Sequence, residues 1–286
     1  MIRRKTTWLL GLALLSVSYD SPALGGQAPA REISNVTGDL YRFRNAGHFS
    51  VFLVTPEGII VTDPIDANAA RWLKTELAKR FNQPAKYLIY SHDHADHISG
   101  GEVFGDTAVV VSHEKTKATI LRDRRPTFLP QRTFSDRLTV ELGGKRVELI
   151  YVGRNHSDNS IVMRFPAERT LFAVDFIPVE SLPCRTLNDS YIDEWIESLK
   201  RVEAMDFDIL VQGHGSVGRK EHVRPMREYM EELKSQVAAH LRQGKSVDEI
   251  KRLVKMEKYR NWSSYSDYLP LNIEGMVRHL QQQQPK

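Results

Sequence analysis

The chain has 286 residues, 41% hydrophobic and 27% charged, the balance of an ordinary globular protein with one large or two small domains. The formal charge is +4, but three basic residues and Asp20 lie within the first 25 positions, so the remainder carries only +2 and gives no argument for a nucleic-acid partner. Cys184 is the single cysteine, which excludes an intramolecular disulfide.

Arg3-Arg4-Lys5 precede an apolar stretch from Trp8 to Val17 that is too short to span a bilayer, and Ala23-Leu24-Gly25 supply small residues for cleavage. Residues 1–25 are therefore expected to be a secretory signal peptide, leaving a periplasmic or secreted chain with no stable membrane insertion. No cysteine follows the apolar stretch to carry a lipid. Residues 26–32 read as a disordered lead-in.

Strand-like runs follow at Leu40–Phe43, Ser50–Val54 and Ile59–Thr62, the last two separated by a Pro56-Glu57-Gly58 turn. Ala69, Leu73, Leu77 and Phe81 recur at helical spacing and predict a helix over Asn68–Phe81. Tyr87–Tyr90 and Val109–Val111 are the next strands. A second batch runs through Leu138–Val140, Val147–Tyr151, Ser160–Phe165 and Leu171–Val174. A helix over Ile192–Met205 and a short strand at Ile209–Val211 follow. Two batches of strands, each leading into helices, predict two packed sheets flanked by helices.

Beyond His214 the pattern is helical. Met226, Tyr229, Met230, Leu233, Val237 and Leu241 form one apolar stripe, and Ser246 with Glu249 forms a capping box. Tyr259, Trp262, Tyr265 and Tyr268 recur every three residues and are expected to pack this C-terminal segment onto the core, with a pocket wall or subunit interface as the alternative.

Chemistry concentrates at His92-Asp93-His94-Ala95-Asp96-His97, immediately after the Tyr87–Tyr90 strand. Imidazole nitrogen and carboxylate oxygen are ligands that borderline divalent metals accept. In an extended segment His92 and His94 point the same way. A helix starting at Ile98-Ser99-Gly100-Gly101 would redirect Asp96 and His97 to a neighbouring point, so that one segment serves two metals. His156, Asp175 and His214 each end a predicted strand or lie in the loop after one, and glycines flank His214.

With H-x-H-x-D-H, an isolated His, an acid and a final G-H-G in this order, the chain resembles the metallo-β-lactamase superfamily from about Val36 to Val217. The resemblance implies a four-layer αββα sandwich over residues 26–220, with residues 221–286 as a C-terminal helical extension on the same domain. It implies a first metal on His92, His94 and His156, a second on Asp96, His97 and His214, and Asp175 bridging them. Two Zn²⁺ are the expected cofactors, with iron or manganese admissible because Asp is harder than thiolate. Asp63 matches an early Asp that orients ligand histidines, although it could equally begin the Asp63-Pro64 turn. Two such cations would bring a bridging water to a pKa of around 7, and its hydroxide would attack a carbonyl or phosphoryl centre. Asp96 has a second role in orienting that nucleophile and passing on its proton.

The expected activity is hydrolysis of a small acyl compound: lactone, ester, thioester or amide. The run from His156 to Val162 looks like the zinc β-lactamases, making β-lactam hydrolysis the named alternative. Against it, Asp175 stands where those enzymes carry a Cys, and Pro178 where many carry a Lys for the drug's carboxylate. Di-iron redox chemistry is the further alternative. Arg154 and Arg185 could supply an anion contact or be solvated surface residues. Arg122, Arg124 and Arg125 read as an exposed turn, and Cys184 as a buried small residue. His48, His113, His222, His240 and His279 have no ligand-like context and are expected to be surface or packing residues.

Overall fold

A computed structural model describes residues 29–283, so the expected signal peptide lies outside the described residues. Strands β1 (Arg31–Thr37), β2 (Leu40–Asn45), β3 (His48–Thr55) and β4 (Gly58–Thr62) form an antiparallel meander. Helix α1 (Ala67–Phe81) crosses to β5 (Ala85–Ile89), which lies parallel to β4. The short α2 (Ala95–Ile98) precedes β6 (Val109–His113), α3 (Glu114–Asp123) and β7 (Arg132–Phe134), closing a seven-stranded sheet in sequential order. The second sheet contains β8 (Arg137–Leu142), β9 (Lys145–Tyr151), β10 (Ile161–Phe165) and β11 (Thr170–Phe172). Helix α4 (Ile192–Glu203) then leads to β12 (Ile209–Val211), parallel to β11, and to β13 (Gly218–Arg219) at the edge. Helices α5 (Val223–Arg242), α6 (Val247–Leu253) and α7 (Tyr265–Gln282) end the chain.

Period-2 alternation makes the layers. On β3, Val51 and Leu53 face the second sheet and meet Leu149, Met163 and Phe172, while Phe52 between them faces α1 and meets Leu73. On β10 to β12, Val162, Leu171 and Leu210 point the other way, into a cluster shared with Trp195 and Leu199 of α4 and with α5 and α7. The order helix, sheet, sheet, helix is therefore the expected four-layer αββα sandwich, and α5 to α7 share the core of its second half. Among the described residues no helix is long and apolar enough to cross a membrane.

Several local expectations shift. Residues 31–32 belong to β1 and pair with Arg44 and Asn45, so the lead-in is shorter than its polar composition suggested. Helix α2 starts at Ala95 and not at Ile98, and the extended Ser99 with Gly100 at φ 87° separates it from a short 3-10 turn over Gly101–Phe104. Helix α3 escaped the periodicity reading because its buried face carries Thr116 and Thr119 beside Ile120. The Ser246–Glu249 capping box forms as expected, with Ser246 N–H donating to Glu249 at 2.8 Å.

Candidate metal centre

The site lies where strand ends from both sheets meet. Asp63 follows β4 and His92 follows β5, at the C-terminal ends of two parallel strands. Ser91 C=O accepts from Ile161 N–H at 2.9 Å, bringing the loop before β10, with His156, against this edge. The parallel pairing of β11 and β12 continues through Gly213 N–H to Val174 C=O at 3.0 Å, which sets Asp175 beside His214. Gly213 permits this approach: a Cβ there would stand 2.5 Å from Val174 Cγ1 and 2.8 Å from Asp175 Oδ1.

All seven residues expected as ligands converge. His92, His94, His156 and Asp175 offer ligand atoms within 4.8 Å of one another, as do His97, Asp175 and His214. Asp175 belongs to both groups. Its Oδ2 lies 3.2 Å from His97 Nε2, 3.4 Å from His92 Nε2 and 3.6 Å from His156 Nε2, and its Oδ1 lies 3.4 Å from His214 Nε2. Asp96 Oδ2 completes the second group, 3.4 Å from His214 Nε2 and 3.6 Å from His97 Nε2. Ligand atoms about 2.1 Å from one tetrahedral ion stand about 3.4 Å from each other, so this spacing suits metal coordination.

The donor atoms themselves test the fit. His92 Nε2, His156 Nε2 and Asp175 Oδ1 are buried without a hydrogen-bond partner among the described residues, an arrangement that costs about 1–3 kcal/mol each unless something fills it. His97 Nε2 and His214 Nε2 face each other at 3.2 Å, which needs a proton or a cation between their lone pairs. The opposite ring nitrogens are occupied from behind. His92 Nδ1 meets Ser91 Oγ at 2.9 Å, His156 Nδ1 meets Asn155 Oδ1 at 3.1 Å, and His214 Nδ1 meets Gly47 C=O at 3.2 Å. These contacts aim each Nε2 inward. The residues present fit a pair of divalent cations.

Asp63, read evenly as an orienting residue or the start of a turn, lies directly behind His97. It is fully buried, its Oδ1 accepts from Ser91 N–H at 2.8 Å, and its Oδ2 stands 3.4 Å from His97 Nδ1.

Electrostatics divides the site. Burial, with His94 and His156 nearby, holds His92 well below the ordinary imidazole range; burial and His156 lower His94 likewise. Burial also opposes charge on His97, but Asp175 and then Asp63 outweigh it and raise its pKa well above the ordinary value. His214 is raised in the same sense, Asp96 and Asp175 overcoming burial. Burial opposes ionisation of Asp175 and Asp96 too. His97 first for Asp175, and His214 with His48 for Asp96, hold both below the usual carboxylate range.

Sequence reasoning missed parts of this site. His48, expected as a surface or packing residue, opens β3 with Nε2 3.3 Å from Asp96 Oδ2. A lone histidine at a hairpin tip carries no spacing signal. Asp93 is buried facing away from the cluster. It accepts from Asn159 Nδ2 at 2.7 Å and pairs with Arg125 at 2.5 Å, tying the His156 loop to the motif. Arg125 is thus no exposed turn residue. Its side chain is drawn under the loop by a buried carboxylate. His113 caps α3, its Nδ1 accepting from Lys115 N–H at 3.2 Å, and its Nε2 donates to Ser135 C=O at 2.8 Å, the packing role expected.

A cavity of about 610 Å³ opens over the centre, lined by His94, Asp96, His156, Asp175 and His214 and by the irregular segment 181–190. Cys184 lies in this wall and is exposed, correcting the buried reading; the segment has no regular structure that would turn the thiol inward. Arg154 is spent on a bidentate pair with Glu194 and stacks over Tyr191 at 4.2 Å, whereas Arg185 lines the cavity and makes no ion pair among the described residues. The aromatic row divides. Tyr259 and Trp262 pack with Tyr229 in the core, while Tyr268 reaches the cavity wall.

Comparison with known proteins agrees with this geometry. The chain is 30% identical over 192 residues to the 2,4-dinitroanisole O-demethylase subunit alpha of Nocardioides sp., covering 65% of this chain and 58% of that protein. It is 25% identical over 224 residues to a metallo-beta-lactamase type 2 of Elizabethkingia meningoseptica, covering 74% and 88%. A linear primary-alkylsulfatase of Pseudomonas sp. is 25% identical over 280 residues, covering 78% and 52%, so two of these relatives extend well beyond the aligned region. The solved structure of a metallo-beta-lactamase from Pontibacter korlensis superposes with a TM-score of 0.64 at 20% identity, over 71% of this chain and 99% of that one, and shares the fold. The metallo-beta-lactamase superfamily profile matches residues 47–214, more than half of the chain and spanning every residue of the centre, and the protein therefore belongs to that superfamily.

Proposed function

We propose that the protein is an exported, dinuclear zinc hydrolase of a small acyl substrate: a lactone, ester, thioester or amide. The observation that carries this reading is Asp175, a carboxylate shared by two imidazole groups, one with His92 Nε2 and His156 Nε2 buried without partners and the other with His97 Nε2 facing His214 Nε2 at 3.2 Å. His92, His94 and His156 would hold one cation, Asp96, His97 and His214 the other, and Asp175 both. Bound there, two divalent cations supply Lewis acidity, acidifying a water and drawing charge from a carbonyl oxygen.

The chain's own residues do the rest. Asp96 stays anionic beside His214 and His48 and reaches the cavity, so its carboxylate can accept a proton from the attacking water and return it to the leaving group. Trp195, Leu182, Leu187 and Tyr268 give the cavity an apolar side that seats the substrate body and thins out bulk water. Arg185 offers a planar cation to an anionic group on the substrate. The signal-like segment at residues 1–25 supports export, which would set the substrate among compounds met outside the cytoplasm. Hydrolysis of a β-lactam is the second reading, favoured by the relative from Elizabethkingia meningoseptica and the export signal.

The test is a panel assay of zinc-loaded protein against nitrocefin, an acyl-homoserine lactone, S-lactoylglutathione, a p-nitrophenyl ester and p-nitrophenyl sulfate. Chelation should abolish turnover of at least one carbonyl substrate, and Asp175→Ala should lower it by about 10²-fold or more. Nitrocefin cleavage above a kcat/KM of about 10⁴ M⁻¹s⁻¹ would select the β-lactam reading. Turnover of the sulfate alone, or of Asp175→Ala at the parental rate with two metals retained, would refute the proposal.

A further inference from the structure

The hairpin between β2 and β3 is fastened to the metal centre by more than one contact. Phe49 N–H donates to Gly213 C=O at 2.8 Å, and Gly47 C=O stands 3.2 Å from His214 Nδ1. Arg42 reaches Gly215 C=O. Ala46 takes φ 54°, a left-handed conformation that turns the chain sharply enough for His48 to pair back with Asn45. Asn45 is held in turn by Arg31 Nε at 2.8 Å and donates to Asp66 at 3.0 Å. The tip is thus fixed from both sides, and His48 is delivered to one place.

That place is Asp96. His48 Nε2 stands 3.3 Å from Asp96 Oδ2, and its ring meets His214 edge to face with centroids 4.7 Å apart. The group that brings His48 within 4.8 Å of its neighbours contains Asp96 and His214, and His97 and Asp175 are absent from it. The His48 ring is also farther from His97, at 6.3 Å between centroids. His48 therefore reaches Asp96 through Oδ2, the oxygen that also stands 3.4 Å from His214 Nε2 and 3.6 Å from His97 Nε2, without joining the group around Asp175.

We propose that His48 is a positioning residue of the second metal site: its Nε2–H holds the Asp96 carboxylate so that Asp96 faces the cation bound by His97 and His214. Asp96 needs such a partner. It sits on a single turn of helix, and its side chain is 47% exposed, the loosest carboxylate of the centre. A carboxylate ligand left to rotate in water loses ordering entropy on binding that a pre-held one does not. Outer partners of metal ligands commonly carry 10–100-fold in affinity. The inference rests on the dinuclear reading above.

The experiment is a competitive titration of chelator-treated, full-length protein with Zn²⁺ against a chromophoric chelator, resolving the first and second equivalents. His48→Ala should weaken the second equivalent about tenfold or more and leave the first unchanged. His48→Gln, whose side-chain N–H can still donate, should recover most of the loss. His48→Leu, similar in bulk but without a donor, carries the same test should the alanine variant fail to fold. Equal affinities for both equivalents in His48→Ala or His48→Leu would overturn the proposal, as would a uniform weakening of both or the loss of a third equivalent, which would make His48 a ligand in its own right. A wild-type protein that takes up fewer than two equivalents would instead remove the dinuclear reading, so the two failures are distinct.

Discussion

Asp63 Oδ2 lies 3.4 Å from His97 Nδ1, and both side chains are fully sealed from solvent. Asp63 takes φ 28°, a left-handed turn that a Cβ-bearing residue adopts only under constraint. The position is held because Oδ1 also accepts from Ser91 N–H, so one carboxylate fixes the backbone entering the motif and sets its charge against the ring of the last histidine. Asp63→Ala should leave Ser91 N–H buried without a partner, costing about 1–3 kcal/mol, and remove the carboxylate 3.4 Å from His97 Nδ1, weakening metal binding at His97 by about 10–100-fold. Urea melts and zinc titration check this; parental values in both would assign Asp63 to the turn alone.

Metal uptake should release protons. The raised pKa values of His97 and His214 mean that the metal-free protein holds a proton between these rings to higher pH than a free imidazole would, and a cation must displace it. His92 and His94 are lowered and contribute none. In the metal-free chain, the raised His97 stabilises the fold fully below the ordinary imidazole value of about 6.5 and loses that contribution as pH climbs through its raised value. Zinc affinity should accordingly strengthen as pH climbs above the ordinary imidazole value of about 6.5, with net proton release on uptake. Titration calorimetry in buffers of different ionisation enthalpy measures it, and uptake without proton release would contradict the assignment.

Gly213 is the tightest joint of the site. Its alanine variant would press a methyl onto Val174 Cγ1, Asp175 Oδ1 and His97 Cε1 together, and no one of these can move without disturbing a ligand. Overpacking of this kind costs about 1–3 kcal/mol. Gly213→Ala should lower the melting temperature by several degrees and weaken zinc uptake throughout the centre, because Asp175 belongs to both candidate ligand groups. A variant with lowered stability but parental zinc stoichiometry and affinity would show that the crowding is relieved away from the metals.

Asn272 on α7 controls the cavity wall from below. Its amide donates to Pro183 C=O at 3.0 Å and to Arg185 C=O at 2.6 Å, and its oxygen accepts from Tyr229 Oη at 2.7 Å, all in the core. Asn272→Ala should destabilise the fold by about 2–3 kcal/mol. It should also raise KM for whichever panel substrate is cleaved while leaving zinc content intact, since no ligand touches Asn272. Denaturant unfolding and steady-state kinetics are the measurements; an unchanged KM would mean that segment 181–190 keeps its shape without this anchor.

Much of the architecture was written in short-range pattern. Apolar runs in β3 to β5 and in β9 to β11, and helical spacing in α1, α4 and α5, mark the elements because strands buried on both faces keep apolar side chains throughout and one-face burial of a helix imposes a period. The ligand types were legible too, since a metal demands particular donor atoms whatever fold delivers them. Helix α3 was not legible, because threonines on its inner face satisfy burial through hydrogen bonds and erase the apolar stripe.

The linear chain by itself determined which side chains could bind a cation, the two-batch order of strands and the class of chemistry these permit. Only the tertiary structure decided that Asp175 lies between both imidazole groups, that His48 leans on Asp96, that Arg154 is consumed by Glu194 while Arg185 is left to the cavity, and that Cys184 faces solvent. The division is physical. Donor chemistry and periodicity are properties of neighbours along the chain, whereas loop ends are positioned by packing and hydrogen bonds among segments more than a hundred residues apart, such as Gly47 and His214.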